Sequence, residues 1–226
     1  MTDANTTDAA ATNDSAITLT AIEARVLGCL VEKEATTPDN YPLTLNATTT
    51  ACNQKTSREP VMQLEPGQVG RALRELENKK LVRHDFSARA ERYHHRAGKV
   101  LELTRAQLAL VALLLLRGPQ TVSELLARTR RLHEFDDADE VDFNLQRLAQ
   151  KQPPLATLMP RQPGQRGQRW AHLLSGPVKA EAPDADAPHS PPAPQAHSRD
   201  VLDRLDDLEQ RVAELEERLG GEKPDA

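Results

Sequence analysis

Apolar residues recur at helical spacing in two stretches of the chain that begin in the same way. One stretch runs from Leu19 to Leu30 and the other from Leu103 to Leu114. In each, the apolar positions return every three or four residues, which is the period of a helix with one buried face. Each also opens with Thr followed three residues later by Glu or Gln, the capping-box signature of a helix N-terminus. The chain therefore repeats at least one helix.

The repeat continues beyond this first helix. Two further pairs of segments match, Pro42-x-Thr44-Leu45-Asn46 with Pro119-x-Thr121-Val122-Ser123 and Val69-x-x-x-Leu73-x-x-Leu76 with Val141-x-x-x-Leu145-x-x-Leu148. The offset between matching residues falls from 84 to 77 to 72, so the first copy has the longer loops. Residues 81–96 and 155–173 then read as strand, turn and strand. Three helices followed by a hairpin are typical of the winged helix-turn-helix, which usually binds nucleic acid and sometimes binds protein.

These patterns predict a mainly α protein with small β-wings, in which two winged helix-turn-helix domains are followed by a linker and a C-terminal coiled-coil helix. The predicted segments are a disordered N-terminal extension at 1–18, winged-helix domains at 19–99 and 100–176, a Pro/Ala-rich linker at 177–199, a coiled coil at 200–219 and a disordered tail at 220–226. The linker contains six of the sixteen prolines of the chain, which favours a semi-extended segment. Domains of this small size are expected to pack against each other.

A heptad pattern of apolar residues follows the linker. Its positions step by 4, 3, 4, 3 and 4 and are Val201, Leu205, Leu208, Val212, Leu215 and Leu219. The pattern predicts a short coiled coil, and the flanking charges favour a parallel pair, since arginines such as Arg204 would face glutamates such as Glu209. The alternative is a single amphipathic helix that docks on its own domain. We expect a homo-oligomer formed through these heptads.

Composition limits the classes of function. The net charge of -5 comes from acidic tails, whereas residues 19–176 are mildly basic, which permits a local phosphate-binding patch. Cys29 and Cys52 form neither a disulfide framework nor a zinc motif, which fits a reducing cytoplasm. The N-terminus resembles neither a signal nor a transit peptide. The apolar run 106–116 is far below the roughly 20 residues that cross a bilayer, and it predicts a buried helix. We expect a cytoplasmic protein with no membrane partner.

The third helix of the first copy carries the main candidates for contact with duplex DNA. Its apolar residues face inward, which turns Arg71, Arg74 and Asn78 outward, where they would meet phosphates and base edges. Further candidates in the connection after the second helix and in the two wings are Lys55, Arg58, Arg89, Arg92, Arg161, Arg166 and Arg169. The alternatives are a solvated helix face, a flexible soluble turn in the second wing, and a helix end held by hydrogen bonds from Asn53 and Ser57.

The third helix of the second copy has a different surface. It begins among the carboxylates Asp136, Asp137, Asp139, Glu140 and Asp142. Their charge would repel phosphate groups, so groove reading by this helix is not expected. Phe143 lies opposite the apolar stripe and is predicted to be exposed unless a partner or the sister domain covers it. It is therefore the candidate for a protein interface.

No motif in the sequence predicts catalysis, a cofactor or a metal. Phosphate loops, nucleophile elbows, dinucleotide fingerprints and metalloprotease helices do not occur in the sequence. His94 and His95 are adjacent on a predicted strand and point to opposite faces, so they are not paired ligands. We expect a protein that is not an enzyme. An enzyme remains a third class, with Tyr41 and residues 53–59 as its pocket, and clustered ionisable groups of shifted pKa would favour it.

Several segments resemble a known family. The sequences LTAIEARVLGCLVEKE at 19–34, TTPDNYPL at 36–43 and ACNQKTSREP at 51–60 are similar to the bacterial YceH family. The resemblance continues through 113–121 and 169–173, covers roughly residues 17–176 and includes the heptad tail. It implies a tandem winged-helix fold in a cytoplasmic bacterial protein whose biochemical role is uncharacterised, and it implies no catalytic residues.

The sequence leaves two functions open. One is a DNA-binding, regulator-like protein that dimerises through residues 201–219 and presents the third helix of its first copy to a duplex. The other is an adaptor that binds protein through its winged-helix surfaces, which the acidic helix and Phe143 favour.

Overall fold

The computed structural model describes residues 17–87, 90–161 and 167–177. Several predictions fall outside these residues. They are the N-terminal extension up to residue 16, the linker from residue 178, the tail at 220–226, the wing residues Arg89 and Arg166, and the heptad positions Val201, Leu205, Leu208, Val212, Leu215 and Leu219.

Helices dominate the described part, with two small antiparallel sheets. The helices are α1 (Ala21–Thr36), α2 (Leu45–Cys52), α3 (Pro66–Asn78), α4 (Ala97–Val100), α5 (Arg105–Arg117), α6 (Val122–Thr129) and α7 (Ala138–Ala149), with a short 3-10 helix at Pro38–Asn40. The strands are β1 (Leu43–Thr44), β2 (Val82–Ser87), β3 (Ala90–His95), β4 (Ala156–Leu158) and β5 (Trp170–His172). The prediction of a helical chain with small β-hairpins is confirmed at this level.

Local capping explains where the main helices begin. Thr20, Thr104 and Thr121 each accept a hydrogen bond from the backbone N–H three residues later, and the Glu or Gln at that position accepts one from the threonine N–H. These reciprocal bonds satisfy backbone donors that have no partner within a helix. Helix α3 begins at Pro66 after Glu65, where the missing proline N–H has no cost. The helix starts predicted at Thr20 and Thr104 are confirmed.

In each copy, the residues just before the second helix pair with the second strand of the hairpin. The larger sheet has the order β1-β3-β2, and its β1–β3 register pairs Leu43 with Tyr93. The smaller sheet pairs β4 with β5, and an isolated antiparallel bridge joins Gln120 to Trp170. Both members of the second pair follow the first pair by 77 residues. The repeat inferred from the sequence is therefore also a repeat of backbone pairing.

Two arginines repeat the same tether in the two copies. Arg92 Nη1 donates to the carbonyl oxygen of Pro42 at 2.8 Å. Arg169 Nη1 donates to the carbonyl oxygen of Pro119, also at 2.8 Å. In each copy this bond ties the second hairpin strand to the segment that leads into the second helix. Each bond gives a backbone carbonyl oxygen a hydrogen-bond donor.

One continuous hydrophobic core contains residues of both copies. The helix α5 contributes eight consecutive buried residues, Ala109 to Leu116, which confirms the buried helix predicted for the run 106–116. Helix α1 packs directly against α5, and Gly28 lies at their closest approach. A Cβ atom at Gly28 would lie 2.9 Å from Leu116 Cγ and 3.2 Å from Leu115 Cβ. The first helices of the two copies thus share one tightly packed interface.

The connection between α2 and α3 is also fastened to the second copy. The backbone N–H of Glu59 donates to the carbonyl oxygen of Leu116 at 2.9 Å. Arg117 Nη2 donates to Ser57 Oγ at 2.9 Å. Residues 53–65 therefore depend on the C-terminal end of α5 for their position. In the part of the chain that the structure describes, no helix is both long enough and apolar enough to cross a membrane.

Substitution of Gly28 should weaken the whole fold. We predict that Gly28→Val lowers the free energy of unfolding by about 1–3 kcal/mol, because the added side chain has to separate α1 from α5. The matched control is Gly67→Val in α3, where an added Cβ meets nothing within 4 Å. Urea denaturation followed by circular dichroism measures both variants. Equal stabilities of the two variants would contradict the close α1–α5 contact.

Candidate nucleic-acid interface

The outward face of α3 presents a basic pair. The apolar stripe of the helix is fully buried, whereas Arg71, Arg74 and Asn78 are exposed on the other side, as predicted. Asn78 Nδ2 donates to Glu75 Oε2 at the long distance of 3.5 Å. Among the described residues no ion pair joins either arginine to a carboxylate. Both guanidinium groups can therefore bind an anionic ligand without breaking an internal ion pair.

The hairpin β2–β3 lies beside this helix and belongs to the same surface. His84 Nδ1 lies 2.6 Å from Glu77 Oε1, which joins β2 to the last turn of α3. Along β3, the Tyr93 hydroxyl donates to Glu91 Oε2 at 2.7 Å. Burial, together with the hydrogen bond and the charge of Glu91, raises the pKa of Tyr93 to about 12, and the charge of Arg74 opposes this increase. Side chains of the helix and the hairpin therefore interact directly.

The structure corrects the prediction for Arg58. Its side chain has no exposed surface. Arg58 Nη2 and Nη1 bind the two carboxylate oxygens of Glu32 at 2.6 and 3.1 Å, and Arg58 Nε donates to the carbonyl oxygen of Ala51 at 3.0 Å. The prediction of a phosphate contact is wrong for this residue, because all three nitrogens are used inside the protein. Burial alone would raise the pKa of Glu32, but the bonds to Arg58 outweigh it and lower the pKa.

A second buried arginine was not predicted. Arg25 is 1% exposed within α1, and it donates from Nη1 to the carbonyl oxygen of Cys52 at 3.2 Å and from Nη2 to that of Pro60 at 2.6 Å. One signal in the sequence was available, because Arg25 lies four residues before Cys29 and seven before Glu32 on one helical face. Arg25 and Arg58 together fasten the α2–α3 connection to α1.

Among the other polar residues of the α2–α3 connection, Asn53 and Ser57 form hydrogen bonds within the protein, whereas Lys55 is exposed. Asn53 binds the backbone of Leu64 twice, donating to its carbonyl oxygen at 2.9 Å and accepting from its N–H at 2.7 Å. Ser57 accepts from Arg117. The turn held by hydrogen bonds, which was the alternative for this segment, therefore applies to Asn53 and Ser57. Lys55 is exposed and remains a candidate phosphate contact.

Two of the predicted wing contacts have structural partners instead. Arg92 donates to Pro42, as described above, and Arg169 donates to Pro119 and also pairs with Glu124 at 3.1 Å. These bonds hold each hairpin in place, so neither arginine is retained as a DNA contact. Arg161 is exposed at the end of the described segment that follows β4.

In the second copy the same helix face has different chemistry. Phe143 follows Arg71 by 72 residues, the offset of the third helices, and its side chain is 61% exposed. The predicted exposure of Phe143 is confirmed. Asp137, the residue before the helix, caps its N-terminus by accepting a hydrogen bond from the Glu140 N–H at 2.9 Å. The acidic residues thus cap the helix and leave an aromatic side chain where the first copy has a guanidinium group.

The polar groups considered for an enzyme pocket contact the scaffold. The Tyr41 hydroxyl accepts from the backbone N–H of His95 at 2.7 Å. His95 Nε2 lies 2.7 Å from Glu34 Oε2, and His94 Nε2 lies 3.3 Å from Asp85 Oδ2. The two histidines therefore have separate partners. Within residues 17–87, 90–161 and 167–177, no three His, Cys, Asp or Glu side chains come together as metal ligands.

The fold and this surface define a class of helical protein with a repeated three-helix-and-hairpin unit and one basic helix face. The chain belongs to the family described as "Protein of unknown function, DUF480", whose model matches residues 19–165. It is 52% identical over 207 residues to a UPF0502 protein of Pseudomonas syringae pv. tomato, covering 92% of this chain and 93% of the relative. A UPF0502 protein of Xanthomonas euvesicatoria pv. vesicatoria is 56% identical over 199 residues, with coverages of 87% and 89%.

Loss of the buried ion pair should cost far more stability than loss of a surface arginine. We predict that Arg58→Ala lowers the free energy of unfolding by about 3–5 kcal/mol, because the half-buried charge of Glu32 loses its two short bonds to Arg58 and keeps only the 3.5 Å contact with Lys33. The control Arg71→Ala should change it by less than about 0.5 kcal/mol. Chemical denaturation at neutral pH measures both.

The same pair should make stability depend on pH. Because folding lowers the pKa of Glu32, its contribution is present above the pKa of the unfolded carboxyl group and is lost as pH falls through the lower folded value. The difference in the free energy of unfolding between wild type and Arg58→Ala should therefore become smaller at acidic pH. If Arg58→Ala and Arg71→Ala lower the free energy of unfolding equally at neutral pH, the ion pair does not hold the α2–α3 connection.

Proposed function

We propose that the chain is a tandem winged-helix protein that binds duplex DNA through its first copy and is not an enzyme. In this proposal α3 enters the major groove and the hairpin β2–β3 serves as the wing. The observation that carries it is the exposure of Arg71 and Arg74 on the outward face of α3, without ion-pair partners among the described residues. The resemblance to the YceH family, over roughly residues 17–176, includes the DUF480 match at 19–165 and supports the proposed fold.

The chemistry of the α3 face suits a duplex. Arginine can bind phosphate or make two hydrogen bonds to guanine, and asparagine can pair with adenine in the major groove. Arg71, Arg74 and Asn78 are three and four residues apart and therefore share one face of the helix. Lys55, at the exposed turn after α2, would contact the neighbouring phosphate backbone.

The rigid attachment of the α2–α3 connection also supports this function. A recognition helix reads bases only if its position relative to the backbone contacts is fixed. Buried Arg25 and Arg58 hold residues 53–65 against α1, and the bonds from Glu59 and to Ser57 hold them against α5. The connection therefore presents α3 without the need to order a flexible loop on binding.

The second copy contributes no groove-reading helix in this proposal, because the first turn of α7 is acidic. Self-association through the heptads at 201–219 would bring two first copies together in a homo-oligomer. Because a Pro/Ala-rich linker at 177–199 separates the heptads from the folded part, such pairing raises the effective concentration of the second site without fixing the spacing of half-sites.

Removal of the α3 arginines should abolish selective DNA binding. The full-length chain is mixed with genomic duplex fragments across a salt series, and bound fragments are sequenced. We expect wild type to enrich particular fragments and Arg71→Ala/Arg74→Ala to lose the enrichment. The slope of log affinity against log salt should fall by about one for each phosphate contact that is lost.

The matched control removes the same charge from the second copy. Arg130→Ala/Arg131→Ala changes two exposed arginines in the turn after α6, and it should bind the same fragments as wild type. If this control loses as much binding as the α3 variant, the interaction depends on net charge alone. No binding by wild type at low salt would refute the proposed function for the isolated chain.

A second function is favoured by one observation, the exposure of Phe143 on an acidic helix. An adaptor could use this aromatic as the anchor of a protein interface, since exposed aromatics surrounded by polar groups often mark such surfaces. The acidic turn beside it at Asp136–Asp142 would suit a basic partner. This function would use the second copy and would leave the α3 face free.

The adaptor function predicts a partner that depends on Phe143. Tagged full-length wild type, Phe143→Ala and Phe86→Ala are expressed in the native host and purified, and bound proteins are measured by quantitative mass spectrometry. An adaptor should lose at least one protein by about tenfold with Phe143→Ala, the size of a hot-spot truncation, and keep it with Phe86→Ala. Identical protein profiles for all three chains would exclude a partner anchored by Phe143.

A further inference from the structure

Phe86 is the most exposed large apolar side chain in the described part of the chain, with 76% of its surface accessible. It lies near the end of β2 and pairs with Glu91 on β3. Only 3% of the residues of the chain are aromatic, and the exposure of one of them at the end of a hairpin is therefore informative. Water contact of this size is costly for a phenyl ring unless a partner covers it.

The position of Phe86 follows from the geometry of β2. Alternate residues of a strand point to the same side of the sheet, so Val82, His84 and Phe86 share one face. Val82 is 2% exposed within the core, and His84 is partly buried against Glu77 of α3. The row therefore begins in the core, passes α3 and ends at Phe86, where the strand extends beyond the helices that would cover it.

The ring of Phe86 contacts one neighbouring ring on the same face of β2. It packs edge-on against the ring of His84, with centroids 5.0 Å apart and planes at 88°. His84 in turn is fixed by Glu77 at 2.6 Å. The phenyl ring thus lies beside the α3 face, on the same side of the hairpin. It contacts His84 on one edge and is otherwise largely exposed. This arrangement is suited to insertion into a partner.

We infer that Phe86 is a wedge that inserts between base pairs and kinks the duplex beside the groove occupied by α3. The inference rests on the proposed function. Proteins that bend DNA from the minor groove use apolar side chains, phenylalanine among them, to unstack a base step. The preferred substrate is then a duplex with an easily unstacked pyrimidine–purine step next to the bases that α3 contacts.

If Phe86 unstacks a base step, the protein should bind more tightly to a duplex in which a step is already unstacked. Two duplexes of about 30 base pairs are compared, one fully paired and one with a central two-base mismatch that removes most of the unstacking cost. Fluorophores at the ends report bending by energy transfer. Wild type should bend the paired duplex and bind the mismatched one about tenfold more tightly, the scale of one aromatic–base stack.

Three variants assign the effect to Phe86. Phe86→Ala should bind the two duplexes with equal affinity and leave the paired duplex straight. Phe86→Leu should keep most of the bend, since leucine also acts as a wedge. Phe143→Ala removes another exposed aromatic side chain, from the second copy, and should behave as wild type. All three substitutions are at the surface, so the fold is not at risk.

The outcomes separate the wedge from the proposed function. If Phe86→Ala bends DNA and prefers the mismatch as wild type does, the wedge is wrong while DNA binding stands. If wild type binds neither duplex at low salt, the proposed function fails and the wedge fails with it. If Phe86→Ala instead loses a protein partner from the native host and leaves DNA bending unchanged, Phe86 belongs to a protein interface and the wedge is overturned.

Discussion

The close contact between α1 and α5 at Gly28 is the constraint on which the rest of the structure depends. It brings the first helices of the two copies together, and a side chain at this position would meet Leu116 at 2.9 Å. Because Leu116 also accepts the backbone hydrogen bond from Glu59, the same contact fixes the α2–α3 connection of the first copy. Helix α3 is therefore positioned partly by the second copy, and the two small units share one core instead of maintaining two marginal ones.

Two buried arginines also hold the α2–α3 connection in place. Arg25 and Arg58 use their guanidinium groups to satisfy backbone carbonyl groups and Glu32, all in a region from which water is largely excluded. A buried charge is stabilised by an opposite charge and by hydrogen bonds. Arg58 has both through Glu32, whereas Arg25 donates to backbone carbonyl oxygens and its Nε has no hydrogen-bond partner among the described residues. The surface arginines Arg71 and Arg74 take no part in this internal pairing, and among the described residues neither forms an ion pair with a carboxylate.

Local signals predicted most of the fold and little of the site. Capping boxes and apolar stripes lie within one helix, so the starts at Thr20, Thr104 and Thr121 and the outward direction of Arg71 followed from the sequence. The burial of Arg58 did not, because its partner Glu32 is 26 residues away and the residues around Arg58 are polar. The exposure of Phe86 was missed for a related reason, since alternation predicts the faces of a strand and not where the neighbouring helices end.

In the proposed mode of binding, the first copy, and not the second, forms the contact with duplex DNA. Amide hydrogen exchange of the full-length chain, with and without saturating duplex at low salt, tests it most directly. We predict slower exchange on binding in peptides from α3 and from the hairpin β2–β3, with α7 unchanged. Slower exchange confined to α7, with α3 unaffected, would contradict the account.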